Sequence, residues 1–272
     1  MRIEAKMTKI LEYRQSGRLL AGVIILTPFL FIAIFSSYLL PFNPFESVAQ
    51  PFSLPSFEHP FGVDDLGRDL YSAVLAGTQT SLKAGLLVAI LSIFIGVTIG
   101  VIAGFFGGLV DDVLMRLTEL VQSIPRFFIA ILMVALFGGS FTTLILVLGL
   151  TSWPILARIT RAETLSLLSR DFISSAVCMG CGRYWIITRH ILPHAFQPIL
   201  ATTVLIVSGA ILTEASLSYL GISDPNVVSW GRLIFNAQSF LHHAWWLSVF
   251  PGLAFTTLIL AIHLIADGLR LR

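Results

Sequence analysis

The sequence predicts an all-α polytopic membrane protein with six transmembrane helices. Of its 272 residues, 56% are hydrophobic and only 12% are charged, and the mean hydropathy is +0.89. Because these values lie far outside the range of soluble domains, lipid is the expected solvent for most of the chain. The apolar residues also fall into runs of about twenty, the length that crosses a bilayer core. A net charge of +2 is too small to indicate binding to nucleic acid.

The first predicted span covers residues 19–40 and follows a basic tail at residues 1–18. It ends before Pro41 and Pro44. A run of this length without a small-residue cleavage pattern favours a retained helix over a removed signal peptide.

The other five spans lie within residues 82–266. The second, about 82–106, carries Gly96, Gly100 and Gly104 on one face, a stripe that predicts close helix packing. It ends in the glycine-rich run 104–108, which predicts a tight turn. The remaining four are predicted from near residue 112 to 137, at 141–156, at 198–215 and at 244–266.

Ionisable residues in or beside these spans are candidates to line a path through the bundle. Glu119 and Arg126 belong to the third span, where a buried charge faces a bundle interior or a pore. The alternative is that Arg126 snorkels to the interface and Glu119 lies at headgroup level. Glu214, in the fifth span, lines the path or packs against the outer segment that follows it.

Lysine and arginine residues indicate the orientation. Most of them fall on one side of a six-span chain: Arg2, Lys6, Lys9, Arg14, Arg18, Arg158, Arg161, Arg170, Arg183, Arg189, Arg270 and Arg272. The opposite side has Arg68, Lys83 and Arg232, diluted by acidic residues. By the positive-inside rule, both termini are predicted to be cytoplasmic, including a short tail at residues 267–272.

Two outer segments are longer than a turn requires. Residues 41–81 begin with five prolines, and Asp64 and Asp65 precede a helical stretch predicted from Leu66. Residues 216–243 contain Gly221, Pro225 and Gly231 among apolar residues and are predicted to be re-entrant. Segments of this size could receive a ligand from outside.

Enzyme signatures are absent from the sequence. It has no G-x-x-x-x-G-K-[ST] phosphate loop and no G-x-S-x-G elbow. Cys178 and Cys181 have the spacing of a redox or zinc half-site but lack a second pair, and Pro193 lies between His190 and His194. We therefore expect no catalysis, no metal and no cofactor bound by this chain.

The long polar segment 158–197, between the fourth and fifth spans, resembles the "EAA" coupling loop of ABC importer permeases. Ala176 and Gly180 keep the spacing of that loop, and Ile191-Leu192-Pro193 closes it. The chain further resembles the C-type membrane subunit of the dipeptide, oligopeptide and nickel group, through 59-HPFGVDDLGRD-69, 104-GFFGG-108, Ala157-Arg158, Arg161-Ala162-Glu163, 214-EASLSYLG-221, Ser229-Trp230-Gly231 and Asp267-Gly268-Leu269-Arg270.

The resemblance implies a type I ABC importer permease in a bacterial or archaeal cytoplasmic membrane. Its implied partners are a homologous second permease subunit, one or two ATPase subunits that hold ATP and Mg²⁺, and an extracytoplasmic substrate-binding protein. The implied ATPase-coupling residues are Arg170, Asp171, Ser174, Ser175, Ala176, Gly180, Arg183, Arg189, His190 and Pro193. Candidates for contact with the binding protein are Asp64, Asp65, Arg68, Asp69 and Trp230.

The sequence departs from the family pattern at a few positions. Ser174 and Ser175 replace an acidic residue and the first alanine of the loop, Val177 replaces a basic residue, and His263 replaces an asparagine. The substrate stays open: peptides are favoured, with nickel or a metal chelate as the alternative. Two other hypotheses are a channel or secondary transporter that works alone, and an assembly subunit that binds an ATPase without passing solute.

Overall fold

The computed structural model describes the backbone of residues 2–222 and 224–270, and side chains from residue 17 to residue 269 with the same gap. In that part of the chain, the only strand-like pairing is a single bridge between Val63 and Asp69. The helices are α1 Arg2–Leu39, α2 Leu70–Phe106, α3 Gly108–Ser123, α4 Arg126–Phe137, α5 Phe141–Leu168, α6 Asp171–Cys178, α7 Arg183–Ile186 with a π-helical turn Ile187–Ile191, α8 Leu192–Tyr219, α9 Trp230–Ala237 with a 3₁₀ turn Gln238–Phe240, and α10 Trp246–Arg270.

Five of these helical stretches are long and apolar enough to cross a membrane, by length and composition: Gly17–Leu39, Leu70–Phe106, Phe141–Leu168, Arg183–Tyr219 and Trp246–Leu269. Helices α3 and α4 together pass the same test but meet at an angle of 73°, so they count as a broken sixth span. The predicted all-α membrane fold is thus confirmed for the described residues. We call the end with α9 and residues 40–69 the α9 end, and the opposite end, with α6 and α7, the α6 end.

The third span differs from the continuous helix that the sequence predicted. It starts at Gly108 rather than near Asp112, and it breaks between Ser123 and Arg126. Pro125 explains the break, because a residue before proline is driven out of the helical region. Ile124 accordingly has φ −94° and ψ 126°, an extended conformation.

Close packing of α2 on α5 forms the centre of the bundle. A β-carbon added at Gly96 would lie 2.7 Å from the carbonyl oxygen of Trp153, and one at Gly104 would lie 2.8 Å from Thr164 Cβ. At Gly100 it would collide with the Ala157 carbonyl. The predicted glycine stripe is therefore confirmed as the surface on which the α5 backbone rests.

Polar segments are more helical than the sequence predicted. The fourth helix continues beyond residue 156 to Leu168, so Arg158 and Arg161 lie on α5 rather than in a loop. Arg161 forms a bidentate pair with Asp111 of α3, which satisfies both charges and lets the helix continue. The fifth helix starts at Leu192 instead of 198, since Pro193 occupies its first turn, where no N–H partner is needed.

The outer segment predicted at 41–81 ends at Asp69. Helix α2 begins at Leu70, not Leu66, because the Asp64 carboxylate accepts N–H bonds from Leu66 and Arg68 and holds them in a turn. The polar residues near 80 do not end the helix, since their side chains have hydrogen-bond partners within α2 or on α1. Thr78 donates to the Val74 carbonyl, and Gln79 donates to the Ala33 carbonyl of α1.

A buried polar network fixes this outer segment to α2. Asp69 is 1% exposed, and its Oδ2 accepts bonds from Ser72 N at 2.8 Å and Ser72 Oγ at 2.6 Å, which caps the helix. Its Oδ1 lies 2.9 Å from Nδ1 of buried His59. Ser72 Oγ also accepts from the amide of Phe42, so one carboxylate connects three parts of the segment.

The segment predicted to be re-entrant, 216–243, contains α9. Trp230 at its start is completely buried, and its indole N–H donates to the Val74 carbonyl at 3.0 Å. A β-carbon at Gly77 would lie 2.7 Å from the Trp230 ring, so this glycine makes room for the indole. Helix α9 is thereby held against α2.

Replacing Gly100 by alanine should destabilise the bundle by about 1–3 kcal/mol, because the added methyl group forces α2 away from α5. The measurement is the thermal unfolding midpoint of the detergent-solubilised transporter. Gly209→Ala is the matched control, since no atom lies within 4 Å of its added β-carbon. Equal midpoints for the two variants would contradict the packing argument.

Replacing Asp69 by alanine should lower the free energy of unfolding by about 2–4 kcal/mol, because it removes a helix cap and leaves His59 without its partner. Faster limited proteolysis within residues 41–69 should accompany the lower melting temperature. Glu58→Ala, at an exposed neighbouring position, is the control and should leave both unchanged. A variant as protease-resistant as the parent would rule out this role for the network.

Candidate functional site

The segment Arg170–Pro193 forms a compact cap on the α6 end. Arg170 precedes α6, and Asp171 lies in its first turn, where a negative charge favours the positive end of the helix dipole. Ile173, Ile186 and Ile191 are buried together against Phe105 of α2 and Leu167 of α5. The segment is therefore fixed to the bundle by its apolar residues rather than by charge.

Helix α6 divides the predicted coupling residues between two faces. Ala176 is only 2% exposed and packs inward with Ile173, whereas Asp171, Ser174 and Ser175 are exposed. Ser175 Oγ donates to the carbonyl of Asp171 at 2.9 Å. The exposed side of α6 is thus free to meet another molecule, and Ala176 supports it from beneath.

Gly180 serves the backbone turn after α6. Its φ of +79° is a left-handed conformation, and the amide of Cys181 closes the turn on the Ala176 carbonyl at 3.1 Å. A β-carbon at Gly180 would meet open space. Glycine is therefore required by the conformation of the chain, not by crowding within it. The flanking Cys178 is exposed and Cys181 is half-buried, and both are free thiols.

The remaining residues predicted to couple to an ATPase lie in or near the π-helical turn. Arg183 is exposed, and its guanidinium carbon lies 5.8 Å above the centre of the Phe106 ring, a cation–π contact with the end of α2. Arg189 and His190 belong to the π turn, and Pro193 is exposed at the start of α8. The His190 carbonyl lies 2.6 Å from His194 Nδ1, so that nitrogen already has a partner.

Glu119 and Arg126 are both exposed, on α3 and at the break between α3 and α4. Arg126 Nη1 donates to Ser152 Oγ of α5 at 3.3 Å. The surface around them is apolar and uncovered, with the exposed residues Leu120, Ile124, Phe128, Leu132 and Leu136. Both ionisable residues therefore lie on a face that this chain alone leaves open.

Glu214 does not line an open path in this structure. It is 2% exposed and lines a small cavity, partly open to the surface, between the α4–α5 turn, α8 and the segment before α9. Ser218 Oγ donates to its Oε1 at 2.8 Å. Its side chain faces the interior of the bundle, next to the segment before α9, while Leu212 on the same helix is exposed.

Two of the five residues predicted to contact a binding protein are inaccessible. Asp69 and Trp230 are 1% and 0% exposed because one caps α2 and the other anchors α9. Asp65 and Arg68 instead line an open polar cleft of about 450 Å³ at the α9 end, together with Arg232 of α9.

Asp64 is half-buried next to this cleft and has a structural role. Burial raises the pKa of its carboxyl above the ordinary value, and the N–H groups of Arg68 and Leu66 act in the opposite direction. A raised pKa means that the contribution of Asp64 to folding is most favourable below its ordinary pKa. That contribution declines as the pH rises through the pKa that the Asp64 carboxyl has in the folded protein.

The amino-acid sequence from residue 96 to residue 272 matches the profile of the binding-protein-dependent transport system inner membrane component family. The match begins within α2 and runs through the segment Arg170–Pro193, which we call the coupling segment after its predicted role, to the end of the chain. This chain belongs to that family of ABC importer permeases.

Relatives of the permease cover nearly its whole length. A Brucella suis protein, provisionally named a peptide transport system permease, is 39% identical over 94% of this chain and 86% of its own. The dipeptide transport system permease protein of Haemophilus influenzae is 32% identical over 95% and 90%. The glutathione transport system permease protein of Pectobacterium atrosepticum is 34% identical over 94% and 86%.

Solved structures show the same fold at low sequence identity. The MetNI methionine ABC transporter in an inward-facing form matches with a TM-score of 0.60 and 15% identity, over 72% of this chain and 93% of the other. An amino acid ABC transporter crystallised with histidines matches with a TM-score of 0.55 and 17% identity, over 71% and 90%. The permease therefore has the helical arrangement expected of its family.

The structure of the permease also shows exposed apolar residues on the coupling segment that the sequence analysis did not select. They are Phe172, Val177, Met179, Tyr184 and Trp185, with exposed fractions between 40% and 81%. The apolar spacing of Ile173 and Ala176 could have indicated Phe172 and Val177, because the other residues of that short helix must then face outward.

Proposed function

We propose that this permease forms half of the translocation pathway of an ATP-driven importer of di- or oligopeptides. The observation that carries the proposal is similarity along nearly the whole chain to permeases named for peptide, dipeptide and glutathione transport. Glutathione is itself a small peptide. Nickel or a metal chelate is the alternative cargo. Among the described residues, no three His, Cys, Asp or Glu side chains are grouped as metal ligands.

The coupling segment is proposed to dock on an ABC ATPase subunit that holds ATP and Mg²⁺. Large apolar side chains that lie together on an exposed surface mark a contact with a partner. Met179 and Tyr184 are 75% and 81% exposed at the α6 end. Arg170, Arg183 and Arg189 are exposed on the same segment and can pair with acidic groups of the ATPase. Movement of that subunit would then pass through the apolar cluster of Ile173, Ile186 and Ile191 to α2, α5 and α8.

The uncovered face of α3 and α4 is proposed to meet the second permease subunit or to line the pathway between the two subunits. Its aliphatic residues suit contact between helices, and Arg126 and Glu119 supply the charges at the break. An extracytoplasmic binding protein is proposed to meet the polar cleft of Asp65, Arg68 and Arg232. Asp64, half-buried beneath that cleft, would shape it rather than contact the partner.

Both termini are proposed to lie in the cytoplasm of a bacterial or archaeal cell, with the α9 end outside the cytoplasmic membrane. A membrane-impermeant maleimide should then label Phe57→Cys, at a fully exposed outer position, in intact spheroplasts. The exposed native Cys178 should react only in inverted vesicles that contain the permease without its ATPase subunit, and it serves as the internal control. Labelling of Cys178 in intact spheroplasts would instead indicate that the α6 end lies outside the cytoplasmic membrane.

Reconstituted with its second permease, ATPase and binding protein, the transporter should take up peptide only with ATP. Met179→Asp should lower peptide-stimulated ATP hydrolysis by about tenfold, equivalent to about 1.4 kcal/mol of docking energy. Met179→Leu, which keeps an apolar surface, should retain most of it.

The competing functions predict different results in the same proteoliposomes. Uptake without ATP or partners would favour a channel or secondary transporter, and ATPase binding without uptake would favour an assembly subunit. If nickel, rather than peptide, stimulated hydrolysis, the proposed cargo would be wrong. Equal activity of the two Met179 variants would mean that this apolar surface is not the ATPase contact.

A further inference from the structure

Glu214 is a buried carboxyl group with one oxygen that has no partner. Its Oε1 accepts a bond from Ser218 Oγ at 2.8 Å, whereas its Oε2 makes no hydrogen bond. An ionised carboxylate offers about four acceptor positions, and burying it with only one of them satisfied is costly. The chain nevertheless places this group where it is 2% exposed. A buried polar atom left in this way requires a physical explanation.

The cavity beside Glu214 is too small for a hydrated cation. Its volume is about 10 Å³, close to the lower limit for a single water molecule. Its walls come from the α4–α5 turn, the end of α8 and the segment that precedes α9, and its polar lining residues are Ser140, Glu214, Ser218, Asp224 and Ser229. The space therefore suits a proton on the carboxyl group and one bridging water.

The charged groups around the cavity also favour a proton on Glu214. Among the described residues that line the cavity, from α4, α5, α8 and the segment before α9, Asp224 is the one titratable group besides Glu214. Arg232 of α9 donates to the Asp224 carbonyl at 3.1 Å. The Asp224 carboxylate accepts N–H bonds from Asn226 at 2.9 Å and Phe141 at 3.4 Å. Glu214 accepts no N–H bond of this kind, and two charged carboxylates in one cavity repel each other.

We propose that Glu214 is a proton-binding site whose neutral acid fastens residues 224–229 to α8. The acid accepts the Ser218 hydroxyl bond through Oε1, and its own O–H reaches Ser229 through one water. Ser229 Oγ also caps α9, because it accepts from Arg232 N at 3.4 Å, so this segment and α9 move together. Loss of the proton to bulk water leaves a second carboxylate beside Asp224, which draws water inward and separates the segment from α8.

Cysteine labelling of the assembled transporter in detergent, without ATP, tests this proposal independently of the transported solute. A cysteine at Val227→Cys reports the accessibility of residues 224–229, and one at Phe57→Cys reports an exposed outer position. Both variants also contain Cys178→Ser and Cys181→Ser, so that the introduced cysteine alone is labelled. The ratio of their maleimide labelling rates removes the intrinsic pH dependence of the thiol. We expect this ratio to rise by about tenfold per pH unit while the ionised fraction of Glu214 is small. With Glu214→Gln, a neutral side chain of the same shape, it should stay low and independent of pH.

Infrared spectroscopy gives a readout that does not depend on movement of the segment. The parent protein in D₂O should show the carbonyl band of a protonated carboxylic acid that titrates with the labelling ratio. Ser218→Ala should shift this band, and Glu214→Gln should remove it. A pH-independent ratio in the parent protein, or an equal rise with Glu214→Gln, would overturn the proposal. If Glu214→Gln does not fold, the parent protein and Ser218→Ala still test the proposal. It would be overturned by a parent spectrum without an acid band, or by an acid band that Ser218→Ala leaves unshifted.

Discussion

The close approach of α2 and α5 is the constraint on which the rest of the permease depends. Within a bilayer, association of helices gains little from the hydrophobic effect, so it relies on van der Waals contact between smooth surfaces. Gly96, Gly100 and Gly104 provide that surface, and the α5 backbone lies directly on it. The direction of α5 is thereby fixed along its whole length. Toward the end of α5, Arg161 pairs with Asp111 of α3, and α6 follows directly after α5 in the chain.

Charged and polar groups add specificity to this apolar frame. Arg161 joins α5 to α3 across fifty positions of the sequence. The Asp69 carboxylate bonds His59 and Ser72, and Ser72 Oγ in turn accepts from the amide of Phe42. In a low-dielectric environment a charge without its partner is costly, so these pairs discriminate strongly against other arrangements of the helices. The apolar contacts make the bundle compact, and the pairs select one way of assembling it.

Much of the fold follows from local patterns in the sequence. Apolar runs of membrane length predicted the spans, and glycines at four-residue spacing predicted the α2 contact. The errors came from polar residues whose partners are remote. Arg161 looked like a loop residue because Asp111 is fifty positions away, and Trp230 looked accessible because its acceptor is the Val74 carbonyl of α2. For the candidate site, the position of the coupling segment could be predicted, but its exposed face could not. That face is defined only once Ile173 and Ala176 pack against other elements.

Helix α8 connects the two ends of the permease as a single strut. It comprises 28 residues and runs from the coupling segment to the cavity at Glu214. At 1.5 Å per residue its length is about 42 Å, so a tilt of roughly 10° about its lower end would displace its upper end by about 7 Å. The π-helical turn immediately before it has a looser hydrogen-bond pattern than an α-helix and provides a natural pivot. A small angular change at the coupling segment would therefore become a displacement wider than a water molecule beside α9.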